Sequence, residues 1–331
     1  MKYFSPLPLI FSCVRAIIGE KREGGNGLEC KTYHIGRDAD QLTVFDYLRR
    51  RLGYSSTLLK KVKASGIFLN DKAVTVRAIL TEGDHLSVSF PGESSERIKA
   101  INLPLEILYE DSELLFVCKP SGIPTHPAKG AGALTLANMV CAYLGGEVVF
   151  RAVNRLDTDT AGIVLIAKTH LAASLVGEQM RRREISKSYL ALVSGVPEPR
   201  EGVIDAPIGR ESEDAQKRVV RTDGKEAVTA YRVISVRDGN AVCEISPQTG
   251  RTHQIRVHMA HVGHPLVGDF MYGSETPQGY RLVCRSLSIL HPTSGERLSV
   301  ELPCPERFLF EEPTAGEKLS YVAPEMMPPI L

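Results

Sequence analysis

"AVNRLDTDTAGIVLIAKT", residues 152–169, sets two carboxylates, Asp157 and Asp159, two positions apart in front of an apolar run, with Arg155 two positions ahead of the first. The run "TAGIVLIAKT" scarcely alternates, the pattern of a strand covered on both faces. Polar residues before such a strand ordinarily make a turn, and Asp and Thr are good turn formers. Alone, the stretch predicts a turn feeding a buried strand. Whether a carboxylate in that turn does chemistry depends on its surroundings.

Outward from it, "LEILYED" and "LLFVCKP" read as a hairpin, "KPSGIPTHPAKGAGA" as a Pro/Gly loop, and "LTLANMVCAYLG" and residues 172–183 as helices. "SYLALVSG", "EAVTAYRVISVRDGNAVCEISP" and "RLVCRSLSILHP" add strands, the middle one a hairpin about Asp-Gly-Asn. Strands outnumber helices and short turns join them, so the fold class is α+β with a mainly antiparallel sheet.

Upstream lies a smaller unit. "LTVFDYLRRRLG" and "SSTLLKKVKASG" read as two short helices ended by Gly53 and Gly66, with Ser55 or Ser56 capping the second. Short strands follow: "IFLN", the turn "DK", "AVTV" and "HLSVSF". Between Leu42 and Arg77 eight basic residues (Arg49, Arg50, Arg51, Lys60, Lys61, Lys63, Lys72, Arg77) face only Asp46 and Asp71. Such an imbalance is either a solvated helix face or a surface that tracks phosphates. The two helices followed by "SGIFLNDKAVTVRAILTEGDHLSV" resemble an S4 domain, a small RNA-binding module, and the resemblance implies RNA without chemistry of its own.

The expected organisation is an N-terminal extension at 1–38, poorly ordered in part, an S4-like domain at 39–92, a polar linker at 93–103 and a catalytic domain at 104–331. With 331 residues and a net charge of +1, the chain has room for two domains and is no obvious nucleic-acid binder by its average charge. Seven scattered cysteines with no Cys-x-x-Cys argue against a disulfide framework and a structural zinc site, and fit a cytoplasmic protein. The apolar start "FSPLPLIFSCVRAII" is broken by prolines and Arg15 and is too short to span a bilayer, so neither secretion nor a membrane is expected.

The densest polar segment is "QTGRTHQIRVHMAHVGHP". His258, His261 and His264 step by three, which rotates them off one helix face, and no Asp, Glu or Cys stands among them. A helix whose start, "TGRTH", offers backbone N–H groups and an Arg to phosphate fits better than a metal site. His253, His258, His261 and His264 are then expected on the helix and its RNA-facing surface.

Together "KPSGIPTHP", "RLDTDTAGIVLIAK", "KSYLALVSG" and "GRTHQIRVHMAHVGHPLVGDFMYG", in this order, resemble the RluA-type pseudouridine synthases over residues 104–310. The resemblance implies isomerisation of uridine to pseudouridine in structured RNA, chiefly large-subunit ribosomal RNA with tRNA a lesser case, by a monomer needing no cofactor and no metal. It implies Asp157 as the catalytic carboxylate, acting as nucleophile or base, Arg251 as the Arg paired with it, and Tyr189 as an aromatic stacking on the target base. It also gives Arg155 and Asn154 to RNA contact, with Asn154 replacing the family's usual His, and leaves Asp159 as a turn residue. "RLVCRS" departs from the family's usual Leu-His-Ala at Cys284, Arg285 and Ser286. Two other readings compete: a glycoside hydrolase using Asp157 and Asp159, disfavoured by the absence of Trp, and a non-catalytic RNA-binding protein.

Overall fold

The computed structural model describes residues 22–24, 28–90, 98–127, 134–146, 149–273, 279–302 and 309; the apolar start, Cys13 and Cys304 lie outside them. The small unit comprises β1 (Arg22–Gly24), β2 (Leu28–His34), α1 (Val44–Asp46), α2 (Ser56–Ser65), β3 (Ile67–Leu69), β4 (Lys72–Ala73) and β5 (His85–Ser89). Its five strands form an antiparallel sheet in the order β1-β2-β5-β3-β4. Ser55 starts α2 by accepting Leu58 N–H, and Gly66, at φ 121°, ends it. After α1 the chain widens into a π turn at Tyr47–Arg51, so the first expected helix is present but irregular.

Two boundaries differ from the sequence reading. β2 belongs to the small sheet, paired with β5 from Cys30 to His34, so the unit begins well before residue 39. Nor is the second half of the expected linker loose: Ile101 N–H donates to the Asn138 carbonyl, Asn138 Nδ2 donates to the Lys99 carbonyl, and Ile98 and Leu103 pack on the main core.

The larger unit comprises β6 (Glu106–Glu110), β7 (Leu114–Lys119), α3 (Leu136–Tyr143), β8 (Ala161–Ala167), α4 (His170–Arg181), β9 (Ser186–Val193), β10 (Glu201–Asp205), β11 (Ile208–Arg210), β12 (Arg218–Val220), β13 (Val228–Arg237), β14 (Asn240–Pro247), α5 (Gln254–His261), β15 (Leu282–Leu290) and β16 (Arg297–Glu301). One sheet runs β10-β13-β14-β9-β15-β8-β7-β6, with β16 on β15, and β11 and β12 make a separate ribbon. Every pairing is antiparallel except β8 with β15. The β13–β14 hairpin turns at Asp238-Gly239, both at positive φ, as its tight turn requires.

β8 is buried at all seven positions, as its unbroken apolar run demands. Along β9, Tyr189, Ala191 and Val193 join the main core, while Leu190 and Leu192 join a second cluster with Ala161, Val242, Val283 and Leu309. Alternation therefore puts apolar packing on both faces of the central sheet. Gly162 has φ 109°, and a Cβ there would overlap the Cys284 backbone, so only glycine lets β8 and β15 approach.

The units share a packed boundary. Leu171 of α4, 4% exposed, belongs to the small unit's core, with Leu175 packed beside it. Ser55 N–H donates to Ser174 Oγ at 3.0 Å. No helix of the described residues is long and apolar enough to cross a membrane.

Candidate active site

The loop carrying Asp157 is clasped residue by residue by the Pro/Gly loop after β7. Thr125 Oγ1 donates to the Leu156 carbonyl and accepts Leu156 N–H. Gly122 N–H and Lys119 Nζ both donate to the Thr158 carbonyl, and Ser121 Oγ donates to the Asp159 carbonyl. Thr160 N–H closes the turn onto the Asp157 carbonyl. The polar run before β8 is thus a turn, as its composition predicts, but one whose carbonyls are held from outside, which fixes where the Asp157 side chain projects.

Lys119 is the center of this clasp. Wholly buried, its ammonium donates to the carbonyls of Pro120, Ile123 and Thr158 at 2.8–2.9 Å. Burial pushes its pKa down to about 7, against the pull of Asp159 and Asp157. Its signal was visible in "CKPSGIPTHP", yet composition marks only a loop there.

Asp157 projects into a cleft of about 1060 Å³. Six basic side chains line it (Arg155, Arg181, Arg183, Lys187, Arg251, Arg256), against Asp157 and Asp159 alone among acids. A cleft so lined favours a polyanion. Tyr189 is on its wall, 8% exposed, and burial with a hydrogen bond to the Cys284 thiol holds its phenol well above the ordinary value. The phenol is therefore protonated at neutral pH.

The Arg beside Asp157 is not the expected one. Arg251 also lines the cleft, but its Nε donates to the Glu226 carbonyl at 2.8 Å. Arg256, one turn into the segment, places Nη1 3.6 Å from Asp157 Oδ2. Its Nε and Nη2 bind both oxygens of buried Asp269, at 2.7 and 2.8 Å. The Tyr280 and Tyr272 rings flank it, 4.2 and 4.9 Å from ring centroid to guanidinium carbon. Burial opposes its charge, but Asp269, Tyr280 and Asp157 outweigh that and raise its pKa. Helical spacing explains the exchange: α5 starts only at Gln254, so Arg256 lies on a fixed helix and Arg251 on the turn before it.

That turn is filled from within. Gln254 Oε1 accepts Arg251 N–H and the Thr249 hydroxyl, and its Nε2 donates to the Val228 carbonyl and Thr229 Oγ1. The helix start expected to offer its N–H groups to phosphate thus has the Arg251 N–H already engaged.

Other expectations shift as well. Asn154 is 5% exposed, donating to the Ile163 carbonyl and accepting Leu165 N–H, so its amide fixes the approach to β8 rather than reaching RNA. His258 is not surface but core, bonded to Thr229 Oγ1 and the Ala206 carbonyl. His264 bonds the Ser194 carbonyl, and His253 alone of the four lines the cleft. Arg155 is exposed on the cleft wall. In the small unit Lys60, Lys61, Lys63, Arg50 and Arg51 are exposed, but Arg50 pairs with Asp46 at 3.1 Å, Arg51 pairs with Asp38, and Arg49 donates to the Tyr54 carbonyl.

Comparison with known proteins identifies the family. The profile of the RNA pseudouridylate synthase family matches residues 113–261, a span that holds the clasp, Asp157, Tyr189 and Arg256. An uncharacterized RNA pseudouridine synthase of Bacillus subtilis is 37% identical, over 80% of this chain and 96% of its own length. Ribosomal large subunit pseudouridine synthase D of Pseudomonas aeruginosa is 37% identical over 77% of this chain and 85% of its own. Among solved structures, human RNA pseudouridylate synthase domain containing 4 matches with TM-score 0.52 and 27% identity over 61% of this chain and 90% of that one. The chain belongs to the RluA-type RNA pseudouridine synthase family, and so is an isomerase acting on uridine in RNA.

Proposed function

We propose that this pseudouridine synthase acts on structured RNA of the large ribosomal subunit, in the cytoplasm, with Asp157 as its catalytic carboxylate. One observation carries the assignment: Asp157 is the acid that the clasp thrusts into a basic cleft against a buried, pinned guanidinium. Asp159, the other acid of the cleft, sits in the turn with its backbone carbonyl bound by Ser121.

The uracil must leave C1′ of ribose, turn and rejoin through carbon. A carboxylate under the ribose serves either as nucleophile at the sugar or as base for a sugar proton. Both roles need a fixed, charged oxygen, which Arg256 orients. Tyr189 supplies a ring on which the extruded base stacks, and Arg155 occupies the space the base leaves. Support for the RNA class comes from relatives named for the large ribosomal subunit. The small unit, read as an S4 domain, adds phosphate contacts through Arg50, Lys60, Lys61 and Lys63.

The test is pseudouridine mapping across ribosomal and transfer RNA from a strain lacking the gene. Loss of one or a few large-subunit sites, restored by the wild-type gene, is expected. Loss confined to transfer RNA would reassign the substrate.

A further inference from the structure

His253 precedes α5 in the left-handed conformation, φ 58°, which few residues other than glycine adopt. That backbone turns its ring into the cleft wall, with Nε2 3.9 Å from Asp157 Oδ2. Its other nitrogen, Nδ1, is 2.8 Å from the Tyr272 hydroxyl, and the two rings meet edge to face. The same hydroxyl accepts the backbone N–H of Arg218 at 2.9 Å, from the β11–β12 ribbon.

The negative charge of Asp157 beside Nε2 favours one arrangement of protons. A tyrosine hydroxyl can accept from Arg218 and still give its one hydrogen, and with that hydrogen directed at Nδ1 it holds the ring in one tautomer. The neutral imidazole then carries its own proton on Nε2, the nitrogen facing Asp157. Arg256 Nη1 approaches the same oxygen, Oδ2. We propose that Tyr272 and His253 form a positioning relay that holds an Nε2–H toward Asp157 Oδ2, to close from 3.9 Å to a hydrogen bond when Oδ1 meets the ribose. The inference rests on the reading of Asp157 as the catalytic carboxylate.

The charged and titratable groups facing His253 are Asp157, Asp269, Arg256, Arg218 and Tyr272. Burial pushes the imidazole below its ordinary value, helped by Arg256 and Arg218 and resisted by Asp157 and Asp269. The ring is therefore neutral at pH 7. As pH falls through its pKa, Nδ1 gains a proton, the Tyr272 hydroxyl turns to accept it, and Nε2 keeps its proton facing Asp157, so the relay takes on charge.

The experiment compares full-length wild type, D157N, Y272F, H253A and H253N in single-turnover tritium release from large-subunit ribosomal RNA transcripts labelled with [5-³H]uridine. RNA affinity and melting temperature are measured alongside. Y272F and H253A should lose about 10- to 100-fold in rate, the scale of one hydrogen bond to a charged group, with RNA affinity unchanged. H253N, whose amide donates but does not titrate, should recover part of the rate and lack the inflection in the pH profile that His253 gives the wild type. Rates for Y272F and H253N within twofold of wild type, or a pH profile unchanged in H253N, would overturn the relay. D157N inactive beside unimpaired Y272F and H253N would sink the relay alone, whereas an active D157N would sink the reading beneath it. Should the His253 variants fail to fold, Y272F, which removes one oxygen, decides the matter.

Discussion

Arg256 reaches Asp157 with one corner of its guanidinium, Nη1 at 3.6 Å, because the opposite edge is locked to Asp269 through two hydrogen bonds. The fork is rigid and planar, so fixing one edge fixes the other. Asp269 therefore governs the Asp157 carboxylate without touching it.

Lysine cannot hold both ends of that arrangement, since it is a point charge on a flexible stem. Arg256→Lys should lower the single-turnover rate by about 100-fold, the cost of slight misplacement at a reacting center. Arg251→Ala, which loses a bond to the Glu226 carbonyl on the cleft rim, should lose less than about tenfold, chiefly as weaker RNA binding. Equal losses in rate for the two would return the pairing role to Arg251.

Asp269→Ala leaves a buried guanidinium without its partner. Urea denaturation should show a loss of about 3–5 kcal/mol, the scale for breaking one side of a buried pair. A loss under about 1 kcal/mol, as for a surface pair, would mean that Asp269 and Arg256 are not locked together in solution.

Lys119 makes stability depend on pH. Its folded value, about 7, lies below the unfolded value of about 10.4, so between these the unfolded chain binds more protons. Stability should therefore rise with pH across that window, by at most about 1.4 kcal/mol per unit from this group. Lys119→Met should remove that slope and, by leaving the Pro120, Ile123 and Thr158 carbonyls unpaired, loosen the Asp157 loop and reduce activity. Denaturation of both proteins at several pH values checks the sign: a wild type that loses stability between pH 7 and 10 relative to the variant would contradict it.

Deleting residues 1–95 removes the exposed Lys60, Lys61 and Lys63 and should flatten the dependence of log affinity on log salt. The sequence alone suggests a fragment that folds unaided, but the structure adds a cost: Leu171 loses the core it is buried in. The fragment should be active on saturating RNA yet aggregate, and a polar residue at 171 should restore its solubility. An unchanged salt slope would deny the small unit a role in RNA binding.

Much of this was legible in the residues. Hydrophobic runs gave the β7–β8 core, turn chemistry the β13–β14 hairpin, and the order of four motifs the family. What could not be read was which polar group faces which. Arg251 and Arg256 stand in one polar segment, and only the point at which α5 begins decides between them. Asn154 looks like an exposed donor until the strand beside it takes up its amide. Asp269, Tyr272 and Tyr280 meet Arg256 through tertiary packing that no spacing encodes.

The central claim is the role of Asp157, and Asp157→Asn tests it most directly, because the amide keeps the volume of the carboxylate but can be neither nucleophile nor base. In single-turnover tritium release from [5-³H]uridine-labelled large-subunit ribosomal RNA, the folded variant should bind RNA as the wild type does and release no tritium above background. Release at a rate approaching that of the wild type would place the chemistry on another residue.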